Sequence, residues 1–76
     1  MDREKLKDVA KKVERYLQEE CSDYWHVYVE GDFIRCYYIN IQRFFIFEED
    51  GEWNVTGDSI DLTMAYNLAI VLGVNN

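Results

Sequence analysis

The sequence predicts one α+β domain in which a helix, four strands and a second helix follow one another, in the order α-β-β-β-β-α. Three observations predict it: a helical repeat of apolar residues near the start, an aromatic and β-branched middle part divided by glycine-containing turns, and a second helical segment after it. A chain of 76 residues has room for a single core. We therefore expect residues 1–76 to form one domain, with a mostly antiparallel four-stranded sheet and both helices packed on one face.

The first helix is predicted from about Arg3 to Glu20. Apolar residues recur there at steps of three and four, which is the period of an amphipathic helix; they are Leu6, Val9, Ala10, Val13, Tyr16 and Leu17. Asp2 is the predicted N-cap. The residues between are mostly charged, and we expect a solvated face with three ion pairs, Glu4–Lys7, Asp8–Lys12 and Arg15–Glu19. A basic stripe that meets an acidic partner is the alternative for this face.

The first two strands are predicted to form a hairpin around Gly31 and Asp32, which stand between two aromatic and β-branched runs. A two-residue loop pairs Glu30 with Phe33. Because side chains alternate between the two faces of a strand, this register places one apolar set in the core: Trp25, Val27, Val29, Ile34, Cys36 and Tyr38. On the other face it pairs Tyr28 with Arg35, His26 with Tyr37, and Tyr24 with Ile39.

A second hairpin is predicted from the runs Ile41 to Glu48 and Glu52 to Thr56, and its register stays open. A two-residue Asp50-Gly51 loop aligns Ile46 with Val55 and Glu48 with Trp53. A three-residue loop with Gly51 as a bulge instead aligns Phe45 with Val55 and Phe47 with Trp53. Residues 44–47 are all apolar, so the alternation of the strand does not choose between the two.

The last helix is predicted from about Ile60 to Leu72, with Asp58 or Ser59 as its N-cap and Gly73 as its C-cap. Its apolar side is expected to contain Leu62, Met64, Ala65, Leu68, Ala69, Val71 and Leu72, and its opposite side Thr63, Tyr66, Asn67 and Ile70. No charged side chain follows Asp61, although a surface helix normally carries charges. Two interpretations stay open, namely burial between the sheet and the first helix, or contact with a partner.

The charges limit the class of partner. The chain has 8 basic and 15 acidic residues and a net charge of −7; residues 1–15 carry +2, which leaves −9 for residues 16–76. Such a balance repels phosphates and argues against direct nucleic-acid binding. No run approaches the roughly 18 apolar residues of a membrane span, and the charged start is unlike a signal peptide. We therefore expect no membrane association and a location in the cytoplasm of the producing or host cell.

The residues match no pattern of enzymatic or metal chemistry. His26 is the only histidine, and the predicted hairpin places it on the face opposite to Cys36, away from any thiol nucleophile. Cys21 and Cys36 are expected to be reduced, with a bridge between them as the alternative. The acidic run 48–52 lacks the spacing of a calcium loop, and the isolated glycines match no phosphate-binding motif. We therefore predict no enzyme, no metal and no cofactor.

The predicted function is non-enzymatic protein binding, as in an inhibitor or regulator of another protein. Tyrosine and arginine are frequent anchors of protein interfaces. One predicted binding surface is the aromatic sheet face with Tyr28, Arg35 and Tyr37, and the other is the uncharged helix face with Tyr66 and Ile70. The sheet face is equally suited to close a homodimer.

Two other functions stay open. The carboxylates of Glu48, Glu49, Asp50, Glu52 and Asp58 predict a nucleic-acid mimic that blocks a basic groove of a nucleic-acid enzyme. In length, acidity and α+β order the chain resembles the small inhibitors that phages and mobile elements make against host enzymes, some of which mimic DNA. That resemblance covers size and charge and implies no site residue. The remaining alternative is a small ligand-binding protein or enzyme that uses His26.

Overall fold

Four antiparallel strands form one sheet, and a helix stands before and after them in the chain. The computed structural model describes residues 3–57 and 60–73. Its elements are α1 (Arg3–Glu20), β1 (Trp25–Glu30), β2 (Phe33–Tyr38), β3 (Ile41–Glu49), β4 (Glu52–Gly57) and α2 (Leu62–Leu72). The strands lie in the order β1-β2-β3-β4, each antiparallel to its neighbour. The predicted fold class and element order are confirmed.

The register of the first hairpin is the predicted one. Glu30 pairs with Phe33, and the pairing continues to Trp25 opposite Tyr38. The backbone N–H of Ile39 donates to the carbonyl of Tyr24 over 3.4 Å, which extends the contact by one residue. Of the two loop residues only Gly31 has a positive φ, +62°, as in a type II′ turn, where the first position requires glycine.

The second hairpin has the two-residue loop, so the three-residue alternative is wrong. Glu49 pairs with Glu52, and Ile46 lies opposite Val55. Asp50 and Gly51 both have positive φ, +54° and +81°, which is the pattern of a type I′ turn and the usual geometry of an Asp-Gly loop. This register places Phe45 and Phe47 on the face of the sheet that points away from the core.

The core lies between one face of the sheet and the two helices. Its buried residues are Leu6, Ala10, Val13 and Leu17 from α1, Leu68 and Leu72 from α2, and Trp25, Ile34, Cys36, Phe44 and Ile46 from the sheet. Val27, Val29 and Tyr38, which the sequence places in the core, are partly buried against this cluster. Helix α1 presents a single apolar side, as its periodicity predicts, and of its expected ion pairs Arg15–Glu19 is formed, with 3.3 Å between Nε and Oε2.

Helix α2 begins later than the sequence predicts. Asp61 is its N-cap, and the Asp61 Oδ1 accepts a hydrogen bond from the backbone N–H of Met64 over 2.7 Å. The expected caps Asp2, Asp58 and Ser59 lie outside the described residues. Gly73 ends the helix in the left-handed conformation, with φ +73°, as predicted. Leu62 and Ala65, which are predicted on the apolar side of the helix, are exposed.

Helix α1 also closes the outer edge of β1. The Gln18 Nε2 donates to the carbonyl of Trp25 over 2.8 Å, and the backbone N–H of Val27 donates to the Glu14 Oε2 over 3.0 Å. Beyond the end of the strand, the Arg3 guanidinium donates to the carbonyl of Gly31 over 2.8 Å. These side chains occupy backbone groups that an edge strand would otherwise offer to another strand.

We expect the Gly57→Ala variant to be less stable by about 1–3 kcal/mol, because the added methyl group overpacks the site and the strands must move apart. A Cβ on Gly57 would overlap the Arg43 carbonyl oxygen and the Phe44 Cβ on the neighbouring strand. Urea unfolding measures the difference. Thr56→Ala is the matched control, since Thr56 is exposed on the same strand and its truncation is expected to change stability by about 0.5 kcal/mol or less. Equal stability of the two variants would contradict the close approach of β3 and β4.

Candidate functional site

The face of the sheet opposite the core carries a dense set of aromatic side chains, and no described helix covers it. We call it the open face; its members are His26, Tyr28, Phe33, Arg35, Tyr37, Phe45 and Phe47. The strand registers bring together the three predicted site residues Tyr28, Arg35 and Tyr37. Tyr28 and Phe33 are exposed, whereas Arg35, Tyr37, Phe45 and Phe47 are half-buried. Partly exposed aromatic area of this kind on a small protein is typical of an interaction surface.

The rings of the open face contact one another in two groups. The ring centroid of Phe33 lies 5.6 Å from that of Phe45 and 5.8 Å from that of Phe47, and the last two are 5.9 Å apart. Tyr28 and Tyr37 meet edge to face at 5.6 Å. Aromatic pairs in this range contribute about 0.5–1.5 kcal/mol each beyond the area that they bury. The mutual contacts therefore hold the rings in fixed positions although one side of each group faces solvent.

Arg35 lies at the centre of the open face and is held from several sides. Its guanidinium carbon is 5.5 Å from the ring centroid of Phe33 and 6.0 Å from that of Phe45. Its Nε lies 2.9 Å from the Glu30 Oε1, and one terminal nitrogen donates to the Gln42 Oε1 over 3.1 Å. An arginine that is fixed in this way loses little side-chain entropy when a partner covers it.

The turn between β2 and β3 holds a strained backbone. Ile39 and Asn40 both have positive φ, +50° and +64°, which is rare for a β-branched residue. The left-handed conformation costs Ile39 about 1–2 kcal/mol, and its side chain is exposed. Tyr24, whose carbonyl accepts a hydrogen bond from the Ile39 N–H, is exposed as well.

A β-bulge in β3 places Arg43 beside the ring of Tyr38. Cys36 pairs with Phe44 and Tyr37 with Gln42, so Arg43 is an extra residue in β3. Its guanidinium carbon lies 5.7 Å from the ring centroid of Tyr38. Arg43 and Tyr38 line a shallow pocket of about 380 Å³ together with Trp25, Ser22 and Cys21. The pocket is open and has no buried polar side chain to orient a ligand.

The predicted helix site is exposed but separate from the open face. Tyr66 is 67% exposed, and Ile70 follows one turn later; Leu62, which the sequence analysis placed on the buried side, is 90% exposed and extends the stripe. On the inner side of α2, the Asn67 amide donates to the Tyr16 hydroxyl over 3.2 Å. Burial against α2 raises the pKa of that hydroxyl. The helix therefore presents an uncharged stripe to solvent.

The predicted acidic patch is divided between the two faces of the β3–β4 hairpin. Glu48 lies on the helix side, where its Oε2 is 3.8 Å from the Lys5 Nζ. Glu49 points to the opposite face of the strand, and Asp50 and Glu52 are exposed at the turn. Asp58 lies outside the described residues. The described carboxylates therefore form no single continuous row.

His26 and the two cysteines are not brought together. His26 is exposed on the open face, whereas Cys36 is fully buried on the core face. Both cysteines are free thiols, and Cys21 is exposed. Among residues 3–57 and 60–73, no group of three or more potential metal ligands is found. In the same part of the chain, neither helix has the length and apolar character needed to cross a bilayer.

Three members of the open face, Phe33, Phe45 and Phe47, are not among the site residues that the sequence predicts. The signal for Phe45 and Phe47 is the Asp50-Gly51 pair, because Asp-Gly favours a two-residue type I′ loop and that loop alone fixes the facing of β3. The Ile39-Asn40 turn carries no comparable signal, since it contains no glycine.

Replacing Ile39 by asparagine is expected to stabilise the protein by about 1 kcal/mol, because asparagine tolerates the left-handed conformation better than a β-branched residue. Ile41→Asn is the matched control. Ile41 is similarly exposed, 57% against 54% for Ile39, but it lies in an extended strand, where asparagine is unfavourable. Thermal unfolding of the two variants measures the contrast, and a loss of stability in both would contradict the strain at Ile39.

The stability of the protein is expected to fall as the pH rises from about 9 towards 12. Burial, with a smaller effect of the nearby Glu14 carboxylate, raises the pKa of the Cys36 thiol from 9.0 to about 12. The unfolded chain therefore releases this proton first, so the stabilisation is complete below pH 9 and is lost through this range. Urea unfolding at several pH values measures the slope. We expect a smaller slope in Cys36→Val and an unchanged one in Cys21→Ser; equal slopes in all three proteins would contradict the burial of the thiol.

No family model, curated protein or solved structure matches the chain. Its function is therefore inferred from the contacts, exposure and charge of its own residues. Of the surfaces described above, the open face combines the largest number of ordered aromatic side chains with a fixed arginine.

Proposed function

We propose that this chain is a non-enzymatic protein-binding module that contacts its partner through the open face, and that it acts as an inhibitor or regulator of that partner. The observation that carries the proposal is the aromatic cluster around Arg35. Five rings and one arginine lie on an uncovered sheet face, in contacts that fix them before any partner arrives. Binding energy at protein interfaces is concentrated in such aromatic and arginine anchors.

The chemistry of the open face favours an apolar patch on another protein. Phe33, Phe45 and Phe47 offer hydrocarbon surface, while the charge of Arg35 is opposed by Glu30 at 2.9 Å. A nucleic acid needs several cations that follow its phosphates, and the net charge of −7 opposes it. A partner with aliphatic or aromatic side chains, ringed by polar groups, fits this surface.

The preordered geometry reduces the cost of binding. Each side chain that is immobilised on association costs about 0.5–1.5 kcal/mol. The ring contacts and the two polar contacts of Arg35, at 2.9 and 3.1 Å, supply that order in the free protein. The face is therefore suited to a partner whose own surface is also rigid.

The test compares two tyrosines that undergo the same change on different surfaces. Tyr28 on the open face is 57% exposed and Tyr66 on α2 is 67% exposed, so neither Tyr28→Asp nor Tyr66→Asp opens the core. We expect Tyr28→Asp to weaken partner binding by about 30-fold or more, the loss of about 2 kcal/mol typical of an interface anchor, and Tyr66→Asp to bind as the natural protein does. The measurement is quantitative capture by the tagged proteins from lysate, followed by titration of the captured protein.

The alternatives give different outcomes in the same experiment. Loss of binding in Tyr66→Asp alone would assign the contact to α2 and overturn the open face as the binding surface. A captured protein whose affinity falls steeply with salt, unaffected by Tyr28→Asp, would favour the nucleic-acid mimic. Loss of function in His26→Ala, with partner binding retained, would favour a ligand-binding protein or enzyme.

A further inference from the structure

The two edge strands of the sheet differ in whether side chains hydrogen-bond their outward backbone groups. On β1, Gln18 and Glu14 of α1 hydrogen-bond the outward backbone groups of Trp25 and Val27. On β4, none of the described residues outside β3 and β4 hydrogen-bonds the backbone; the one side-chain contact is within the strand, from the Asn54 amide to the Glu52 carbonyl over 3.3 Å. The sheet therefore has one closed edge and one open edge.

The open edge has few of the features that usually prevent strand pairing. Natural edge strands carry charged residues, above all lysine, or proline or a bulge, or are covered. β4 has the sequence Glu52-Trp53-Asn54-Val55-Thr56-Gly57, with one charged residue at its hairpin end and no lysine or proline, and its pairing with β3 is regular from end to end. A regular strand whose outer edge no described element hydrogen-bonds is a template for one further strand.

The hairpin register shows which backbone groups point outward. Glu49 and Glu52 close a two-residue loop and so exchange hydrogen bonds with each other, as does every second pair after them. Asn54 and Thr56 therefore bond inward to Phe47 and Phe45. Trp53, Val55 and Gly57 are left with their backbone groups directed away from the sheet.

We propose that β4 pairs antiparallel with β4 of a second copy of this chain, around a two-fold axis at Asn54. This register sets Trp53 of each copy opposite Val55 of the other. The four outward backbone groups of these residues are then satisfied in each copy, and two aromatic–β-branched cross-strand pairs form on the helix side. On the other side Asn54 meets Asn54, and Glu52 meets Thr56.

Charge and side-chain packing select this register over its neighbours. A two-fold axis at Val55 sets Trp53 opposite Gly57, which has no side chain to contact. An axis nearer the hairpin tip, at Glu52, sets two carboxylates directly opposite each other, which is destabilising. An axis at Trp53 also opposes no like charges within β4, but it sets Val55 opposite Gly51, which has no side chain to contact. Within Glu52–Gly57, the axis at Asn54 opposes no like charges and gives both Trp53 and Val55 a side-chain partner, so it is the register that we infer for two chains of net charge −7.

The dimer joins the two sheets into one of eight strands. Because opposed residues of an antiparallel pair point to the same side, both open faces lie on one side of the joined sheet. The aromatic surface is doubled and can engage a two-fold symmetric or repeated partner with two contacts at once. This inference is independent of the proposed function, since it rests on the backbone of β4 and not on the open face.

The test is a charge exchange at the two-fold axis, with mass measured by light scattering. The average mass of the natural protein is expected to rise from 9.1 kDa towards twice that value as concentration rises to about 1 mM, where even a dimer with a Kd of about 1 mM is visible. The dimer fraction should grow with salt, because the two acidic copies repel each other. Asn54→Asp and Asn54→Lys should each be monomeric, and an equimolar mixture of the two should form a heterodimer.

His26→Asp is the matched control, because it adds the same charge to the same side of the sheet, on β1. It should leave the dimer intact, and circular dichroism should show that all variants are folded. A monomeric natural protein under all these conditions would overturn the proposal. A dimer that persists in Asn54→Asp would also overturn it. If His26→Asp dissociates the dimer and the mixture of Asn54→Asp and Asn54→Lys does not restore it, the proposal is overturned and the dimer is assigned to the open face.

Discussion

The register of the strands, which is set by the three tight turns between them, is the constraint on which the rest of the structure depends. Since neighbouring residues of a strand point to opposite faces, a shift by one residue would move every aromatic ring of that strand to the other side. Gly31-Asp32 and Asp50-Gly51 hold β2 and β3 so that Ile34 and Ile46 lie in the core. The same two loops therefore place Phe33, Phe45 and Phe47 on the open face, whereas Phe44 lies in the core.

Both described helices pack on the same side of the four-stranded sheet. Helix α1 fills the core with Leu6, Val13 and Leu17 and closes the β1 edge with two polar side chains. Within residues 3–57 and 60–73, no helix covers the other face and no element outside β3 and β4 hydrogen-bonds the β4 edge. The two inferred contacts, with a partner and with a second copy, use these two surfaces.

The elements that could be predicted are those whose signals are local. Helix α1 follows from its apolar period, and the first hairpin from Gly31, whose place between two apolar runs fixes the register. The residues of β3 alone do not predict which of its side chains point to the core, because residues 44–47 are all apolar. The predicted start of α2 is too early, because three possible caps, Asp58, Ser59 and Asp61, precede the helix. The structure shows that Asp61 accepts the hydrogen bond from the first turn.

The turn at Ile39 shows where local preference and the whole fold disagree. β2 must reverse at residues 39 and 40 because Tyr38 pairs with Ile41, and the left-handed conformation is imposed on a residue that disfavours it. The core contacts of β2 and β3 are strong enough to hold that strain. A residue that tolerates the left-handed conformation would make this turn more stable. The strained isoleucine at position 39 therefore favours a role for its exposed side chain at the rim of a contact, because local strain is often retained at functional sites.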